Sequence, residues 1–101
     1  DSGYTFDSRA ESNRYGELRL LERAGEISAL VVHPRFKLLP AFYHPHRGQQ
    51  RAVHYEADFE YYEQGVHVVE DVKGVRTRDY VIKRKMLLYQ RAEIDFREVK
   101  A

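Results

Sequence analysis

The feature that most constrains this chain is Gln64-Gly65, set between two runs of strand-forming residues. Upstream, residues 51–63 carry Val53, Tyr55, Ala57, Phe59 and Tyr61 at alternate positions, the period of a strand with one apolar face. Downstream, residues 66–73 are rich in valine and stop at Gly74. A two-residue connection with glycine favours a tight hairpin, so the two runs are expected to pair antiparallel. Folded about that turn, position 58 falls roughly across from position 71. Side chains alternate along a strand, so Asp71 and Lys73 share a face while Val72 points away. Asp58, an acid amid aromatic and apolar neighbours, has the opposite parity to Tyr55, Ala57, Phe59 and Tyr61.

Other elements follow from local signals. Ser8 with Glu11 three residues later reads as a capping box opening a helix that runs to Ala24, with Gly25 as its C′ residue. Tyr15 and Leu18 share a face of that helix, Leu21 lies at its edge, and Glu11 joins the same stripe. Residues 27–32 are a β-branched run that reads as a strand. His33-Pro34 interrupts it, and residues 35–39 continue it after a kink or bulge. Residues 40–50 hold Pro40, Pro45 and Gly48 and read as a loop or hairpin tip. Residues 79–90 read as a second helix carrying Ile82, Met86 and Tyr89 on one side, and residues 94–99 as a closing strand. The order is helix, three strands, helix, strand. Three strands with short turns form an antiparallel meander, and a strand reached through a helical crossover joins in parallel. The expected fold is therefore α/β, a mixed sheet flanked by helices, in one domain over 1–101.

Composition excludes several functions. The absence of cysteine removes disulfides, thiolate metal sites and cysteine nucleophiles. No apolar run approaches the roughly 20 residues of a membrane span. The start, Asp1-Ser2-Gly3-Tyr4, has no basic-then-apolar layout, so no signal peptide is expected. It also has no Met, so residues upstream are expected to have been trimmed. A cytoplasmic location, without membrane association, fits these features. Net charge is only +1, but its distribution is uneven: residues 76–91 hold Arg76, Arg78, Lys83, Arg84, Lys85 and Arg91 against a single acid, Asp79. Such a stretch is either a phosphate-contacting surface or a solvated helix face.

Two aspartates and a lysine meeting on a hairpin suggest a specific chemistry. Magnesium prefers carboxylate and water oxygens, and two aspartates can hold it while leaving room for a phosphate oxygen and a water. A bound ion lowers the pKa of that water and offsets charge developing on phosphorus. Lys73 can orient the water, act as its base, or stabilise the transition state. Glu11, at the helix start, can complete the ion's shell.

Taken together, the helix acid, the Asp, and the (Asp/Glu)-x-Lys across a hairpin, in αβββαβ order, resemble the PD-(D/E)XK nuclease superfamily. More narrowly, Phe6-Asp7-Ser8-Arg9-Ala10-Glu11, Ala57-Asp58-Phe59 and Val69-Glu70-Asp71-Val72-Lys73-Gly74 resemble a branch of small phage and prophage endonucleases long catalogued as a domain of unknown function. That branch is similar to Holliday-junction resolvases, and the likeness extends from Tyr4 to Val99. The resemblance implies a restriction-endonuclease-like αβββαβ core and a Mg²⁺-dependent endodeoxyribonuclease, with Mn²⁺ substituting. A phage-encoded chain would act in the host cell cytoplasm. Glu11, Asp58, Asp71 and Lys73 match the catalytic set, and the three acids match the metal ligands. Arg9, Arg14, Arg76, Arg78, Lys83 and Lys85 are the expected DNA contacts. Position 57 is Ala where the motif name has Pro, and Glu70 replaces Asp71 as ligand if a bulge shifts the register.

Plainer readings stand beside these. Glu11 alone fits a capping role, and Asp71 with Lys73 fits a surface ion pair worth well under about 1 kcal/mol. His44 and His46 read as exposed loop residues, and His33, His54 and His67 carry no assigned role. Two functions compete: a DNA endonuclease, expected to be a homodimer where it is selective for junctions or branched DNA, and a catalytically inactive nucleic-acid-binding or scaffold protein with the same fold.

Overall fold

The computed structural model describes residues 4–6 and 8–101. Helix α1 (Arg9–Arg23) is followed by strands β1 (Ser28–Val32), β2 (Arg35–Leu39), β3 (Phe42–His44), β4 (Gly48–Gln50), β5 (Val53–Glu56), β6 (Phe59–Glu63) and β7 (Val66–Lys73), then helix α2 (Arg78–Gln90) and strand β8 (Asp95–Lys100). The result is a mixed α/β fold. Its main sheet runs β1-β6-β7-β8, with β1-β6-β7 antiparallel and β8 parallel to β7 after the α2 crossover. Two further strand pairs, β2-β5 and β3-β4, extend from it.

Local chemistry explains the element ends. Ser8 Oγ accepts from Glu11 N at 3.1 Å, satisfying one of the orphan donors of α1. At the other end Gly25 takes φ +79°, its N–H donates to Glu22 O, and Glu26 N donates to Leu21 O at 2.9 Å. This pair of bonds is the Schellman stop, and only a residue at ease with positive φ closes it cheaply. Gln64 and Gly65 both have positive φ, at 50° and 80°, the two-residue turn whose twist matches its strands. Its register pairs Phe59 with Glu70, so Asp58 comes next to Asp71 by the same count.

Both faces of the main sheet are covered. On one side α1 lays Tyr15 and Leu18 onto Ile27, Phe59, Tyr61 and Val68. On the other, α2 lays Tyr80 and Leu87 onto Phe36, Leu38, Tyr55, Ala57, Val69 and Ile94. Sequence alternation reads residues 51–63 as one strand with one apolar face, and the structure corrects this. The chain breaks at Ala57-Asp58 between β5 and β6, opposite the break at His33-Pro34 between β1 and β2. Backbone bonds tie the two breaks together, His33 N to Asp58 O at 2.9 Å and Ala57 N to Pro34 O at 3.0 Å. Across this joint the apolar residues change sides: Tyr55 and Ala57 serve the α2 core, Phe59 and Tyr61 the α1 core. A single alternation therefore feeds two cores.

The face expected for α2 also differs. Ile82 and Tyr89 are exposed, while Tyr80 and Leu87 are buried, with Val81 and Met86 packed at the rim. Positions 80 and 87 are two turns apart, so they form an equally valid helical stripe. The neighbouring strands decided which stripe turned inward. No helix among the described residues is long and apolar enough to cross a membrane.

Candidate metal centre

The joint between the two strand breaks is where chemistry-bearing side chains collect. Glu11 lies in the first turn of α1, buried, and forms no solvent-facing cap: its Oε2 lies 2.9 Å from His33 Nε2. Asp58 enters from the opposite break. Glu11, His33 and Asp58 each present one donor atom, and these atoms lie within 4.8 Å of one another, the grouping of that kind among the described residues. His33 holds φ +57°, a left-handed conformation that costs a non-glycine residue on the order of 1–3 kcal/mol. The kink strains the backbone and in doing so aims the imidazole at the two acids.

Asp58 is held from behind, since its Oδ2 accepts the Val72 N–H at 2.7 Å. Burial pushes its pKa upward, against that hydrogen bond, and the neighbouring Glu11 charge raises it further. Asp71, only 2% exposed, is pushed up to about 7, first by burial, with Lys73 opposing and Glu11 and Glu98 adding to the rise. Its Oδ1 lies 3.9 Å from Lys73 Nζ, longer than a good charged hydrogen bond, and its Oδ2 is buried without a partner. Lys73 Nζ also sits 4.3 Å above the centre of the Tyr80 ring. The Tyr80 hydroxyl donates to Glu98 Oε2 at 2.6 Å, and Arg76 and Arg84 bind the same carboxylate. The hydrogen bonds from Arg76 and Tyr80, with the arginine charges adding to them, hold Glu98 down to about 2. This network fixes the ring against which the lysine rests.

Glu70 occupies the other face of β7. Its carboxylate takes a two-pronged contact from Arg14, Nε at 2.8 Å and NH2 at 2.7 Å, and a hydrogen bond from the Tyr61 hydroxyl. No register shift brings it to the Asp71 side, so its substitution for Asp71 is not what the geometry supports. Arg14 is thereby corrected as well: it is consumed by Glu70 and by Glu17 at 2.9 Å, not presented to a phosphate. Arg76 is likewise occupied by Glu98 although its side chain is exposed, and Lys83 lies 3.7 Å from Asp79. Arg9, Arg78 and Lys85 are exposed on the helices.

All four residues singled out from sequence for catalysis thus lie around one end of the β6-β7 hairpin. Glu11 and Asp58 converge closely, and Asp71 and Lys73 stand beside them on the face of β7 that carries Val69. Sequence reasoning missed His33. The available signal was His-Pro breaking an apolar strand opposite Ala57-Asp58, but pairing the two breaks requires knowing how β1 lies on β6. It also passed over Glu98, whose role depends wholly on α2 packing.

The donor set fits a divalent cation on its own chemistry. Clustered carboxylates with an imidazole, and a buried carboxylate oxygen with no protein partner, are groups whose mutual repulsion and desolvation a cation would relieve. A family model described as "Protein of unknown function (DUF1064)" matches residues 1–101. No curated protein and no solved structure matches the chain.

Proposed function

The chain belongs to the DUF1064 family, whose description carries no activity, and from its own residues we propose that it is a metal-dependent DNA endonuclease of the PD-(D/E)XK kind, built on a restriction-endonuclease-like core. The observation that carries this reading is the contrast inside one small volume: a buried aspartate with an unpartnered oxygen, a lysine beside it, and a glutamate, an aspartate and a histidine within ligand distance of each other. A purely structural site pairs its buried carboxylates, as burying them unpaired is costly.

Glu11, Asp58 and Asp71 would hold the ion, with His33 as an added nitrogen donor. Bound there, a divalent cation supplies a nucleophilic water at neutral pH and offsets charge on the scissile phosphate. Lys73, resting against Tyr80, would be placed to orient an attacking water or to stabilise developing negative charge. Val72 N–H and the Glu11 helix position keep the Asp58 carboxylate in place, which limits the reorganisation needed on binding. The oxygen-rich set suits Mg²⁺, and imidazole is a donor that transition ions accept more readily, so Mn²⁺ is expected to work at least as well.

The decisive experiment is a cleavage panel of linear duplex, nicked, flap, four-way-junction and single-stranded DNA, with Mg²⁺, with Mn²⁺ and with neither. Metal-dependent cutting of any substrate supports the reading and names its preference. A panel with no cutting under any ion leaves the alternative, an inactive nucleic-acid binder with this fold.

A further inference from the structure

The β3-β4 ribbon is not needed to build the site or either core. Its strands pair with each other and form a separate two-stranded sheet. It lies at the far end of the β2-β5 pair, whose opposite end is the joint holding His33 and Asp58. The molecule measures 53 × 29 × 24 Å, and its radius of gyration of 15.5 Å exceeds the roughly 13 Å expected for a compact chain of this length. Strands rise about 3.3 Å per residue, so the stretch from His33 to His44 projects on the order of 35 Å, close to one turn of B-DNA.

The chemistry of this arm is one-sided. Residues 27–55 contain no acid, but hold Arg35, Lys37, Arg47 and Arg51 and four of the five histidines, His33, His44, His46 and His54. Arg35 and Lys37 alternate with buried Phe36 and Leu38 on β2; Arg35 lies across from Glu56 at the joint end, and Lys37 across from His54 nearer the tip. At the tip, Tyr43 is 69% exposed and Phe42 is exposed beside it. Phe42, His44, Arg47 and Gln50 line a shallow concavity of about 240 Å³. The tip is also shaped: Arg47 N donates to His44 O at 3.2 Å across Pro45-His46, and Gly48 then takes φ +79°. Such a three-residue loop, closed by a residue at positive φ, is a common way to connect a tight hairpin.

We propose that the β3-β4 ribbon is a DNA-gripping arm that enters the major groove about one helical turn from the site of chemistry. A two-stranded antiparallel ribbon fits the width of that groove, and exposed arginine and glutamine are the side chains that meet phosphates and base edges there. From Lys37 to Arg51 the arm carries basic and no acidic side chains, which complements a polyanion, and the ribbon shape favours B-form DNA over RNA, whose A-form major groove is too narrow and deep to admit it. The choice of DNA among polyanions rests on the nuclease reading above; the charge and shape of the arm do not.

The test is binding of a fluorescein-labelled 30-base-pair duplex, measured by anisotropy over a salt series in EDTA so that nothing is cut. Arg47→Gln with Arg51→Gln is expected to weaken binding about 10- to 100-fold and to flatten the salt slope by nearly two, since each lost phosphate contact removes about 0.9. Phe42→Ser with Tyr43→Ser is expected to weaken binding with little change of slope. Both pairs are exposed and should leave the melting temperature in place. Wild type is expected to protect guanine N7 from methylation and the ribbon variants to lose that protection. Unchanged affinity in both variants overturns the proposal, as does an equal loss on duplex RNA, or loss of a homodimer with DNA affinity intact. Cleavage is scored separately on wild type. Arm-dependent binding without any metal-dependent cutting sinks the nuclease reading alone; cutting by variants with unaltered binding sinks the arm alone.

Discussion

Glu70 and Asp71 are successive carboxylates on β7, both buried, and the fold treats them in opposite ways. Glu70 is fully enclosed and fully paired, by the guanidinium of Arg14 and the hydroxyl of Tyr61. Asp71 has one oxygen 3.9 Å from Lys73 and the other without a partner. Adjacent residues of a strand face opposite sides, so one acid meets α1 and the other looks toward the α2 side of the sheet, beside the joint between the strand breaks. The difference teaches how to separate an acid whose charge the fold itself compensates from one left free for another role. The first has its lone pairs spent inside the protein. The second has an oxygen left unpartnered in the interior, and burial pushes its pKa up to about 7.

The sharpest way to break this comparison is activity. Asp71→Asn should reduce metal-dependent cleavage by about 10³-fold or more while sparing most DNA affinity. Residual cutting near the wild-type rate would remove Asp71 from the site. The counterpart is stability: Glu70→Gln leaves Arg14 facing a neutral amide in a buried setting and should cost about 3–5 kcal/mol. Denaturant melts of the two variants should therefore rank in the reverse order of their effect on cleavage. If Glu70→Gln proves as stable as wild type, the pairing of Glu70 is not what anchors α1 to β7.

Metal addition probes the same asymmetry with a smaller effect. Titrating Mg²⁺ to about 100 times its dissociation constant should stabilise the wild type by about 2.7 kcal/mol, and the gain should shrink sharply in Asp58→Asn. A melting temperature indifferent to both Mg²⁺ and Mn²⁺ would leave the Glu11-His33-Asp58 cluster without a cation.

A comparable effect is expected from pH. Asp71 in the folded state titrates near 7, above its unfolded value of about 3.9. A carboxyl raised in this way holds its proton more tightly when folded. Its contribution is fully present below about pH 4 and is lost as pH rises through 7. The metal-free protein should therefore melt about 10 °C higher at pH 5 than at pH 8, with Asp58, raised to about 6 by burial, adding in the same direction. Glu98 works in the opposite direction, but its depressed pKa confines that effect to the acid end, below this window. Asp71→Asn should flatten the slope and raise the melting temperature at pH 8. A rising profile over the same interval would show that Asp71 is already ionised at low pH.

Local rules reached much of the candidate site. The two-residue turn at Gln64-Gly65 sets the β6-β7 register, and register alone brings Asp58 beside Asp71. Helical spacing puts Glu11 on the face of Tyr15 and Leu18, and α1 buries that face. The same rules failed where two answers were equally periodic. In residues 51–63 one alternation continues through Ala57-Asp58, and nothing in it signals that the strand changes partner from β2 to β1. In α2 both Ile82-Met86-Tyr89 and Tyr80-Leu87 are helical stripes, and burial chose the second.

What residue order determines by itself here is what depends on near neighbours: the capped start and Schellman stop of α1, the tight hairpin, the facing of Asp71 with Lys73, and the absence of acid in the outer arm between Lys37 and Arg51. What only tertiary structure decided is which groups meet after long excursions of chain. Glu11 finds His33, Glu70 finds Arg14, and Glu98 gathers Arg76, Tyr80 and Arg84. Backbone propensity and turn geometry act over a few residues and leave a trace in the sequence. The pairing of a buried charge is set by whatever packing brings close, because an interior of low polarity rewards any available partner and penalises its absence.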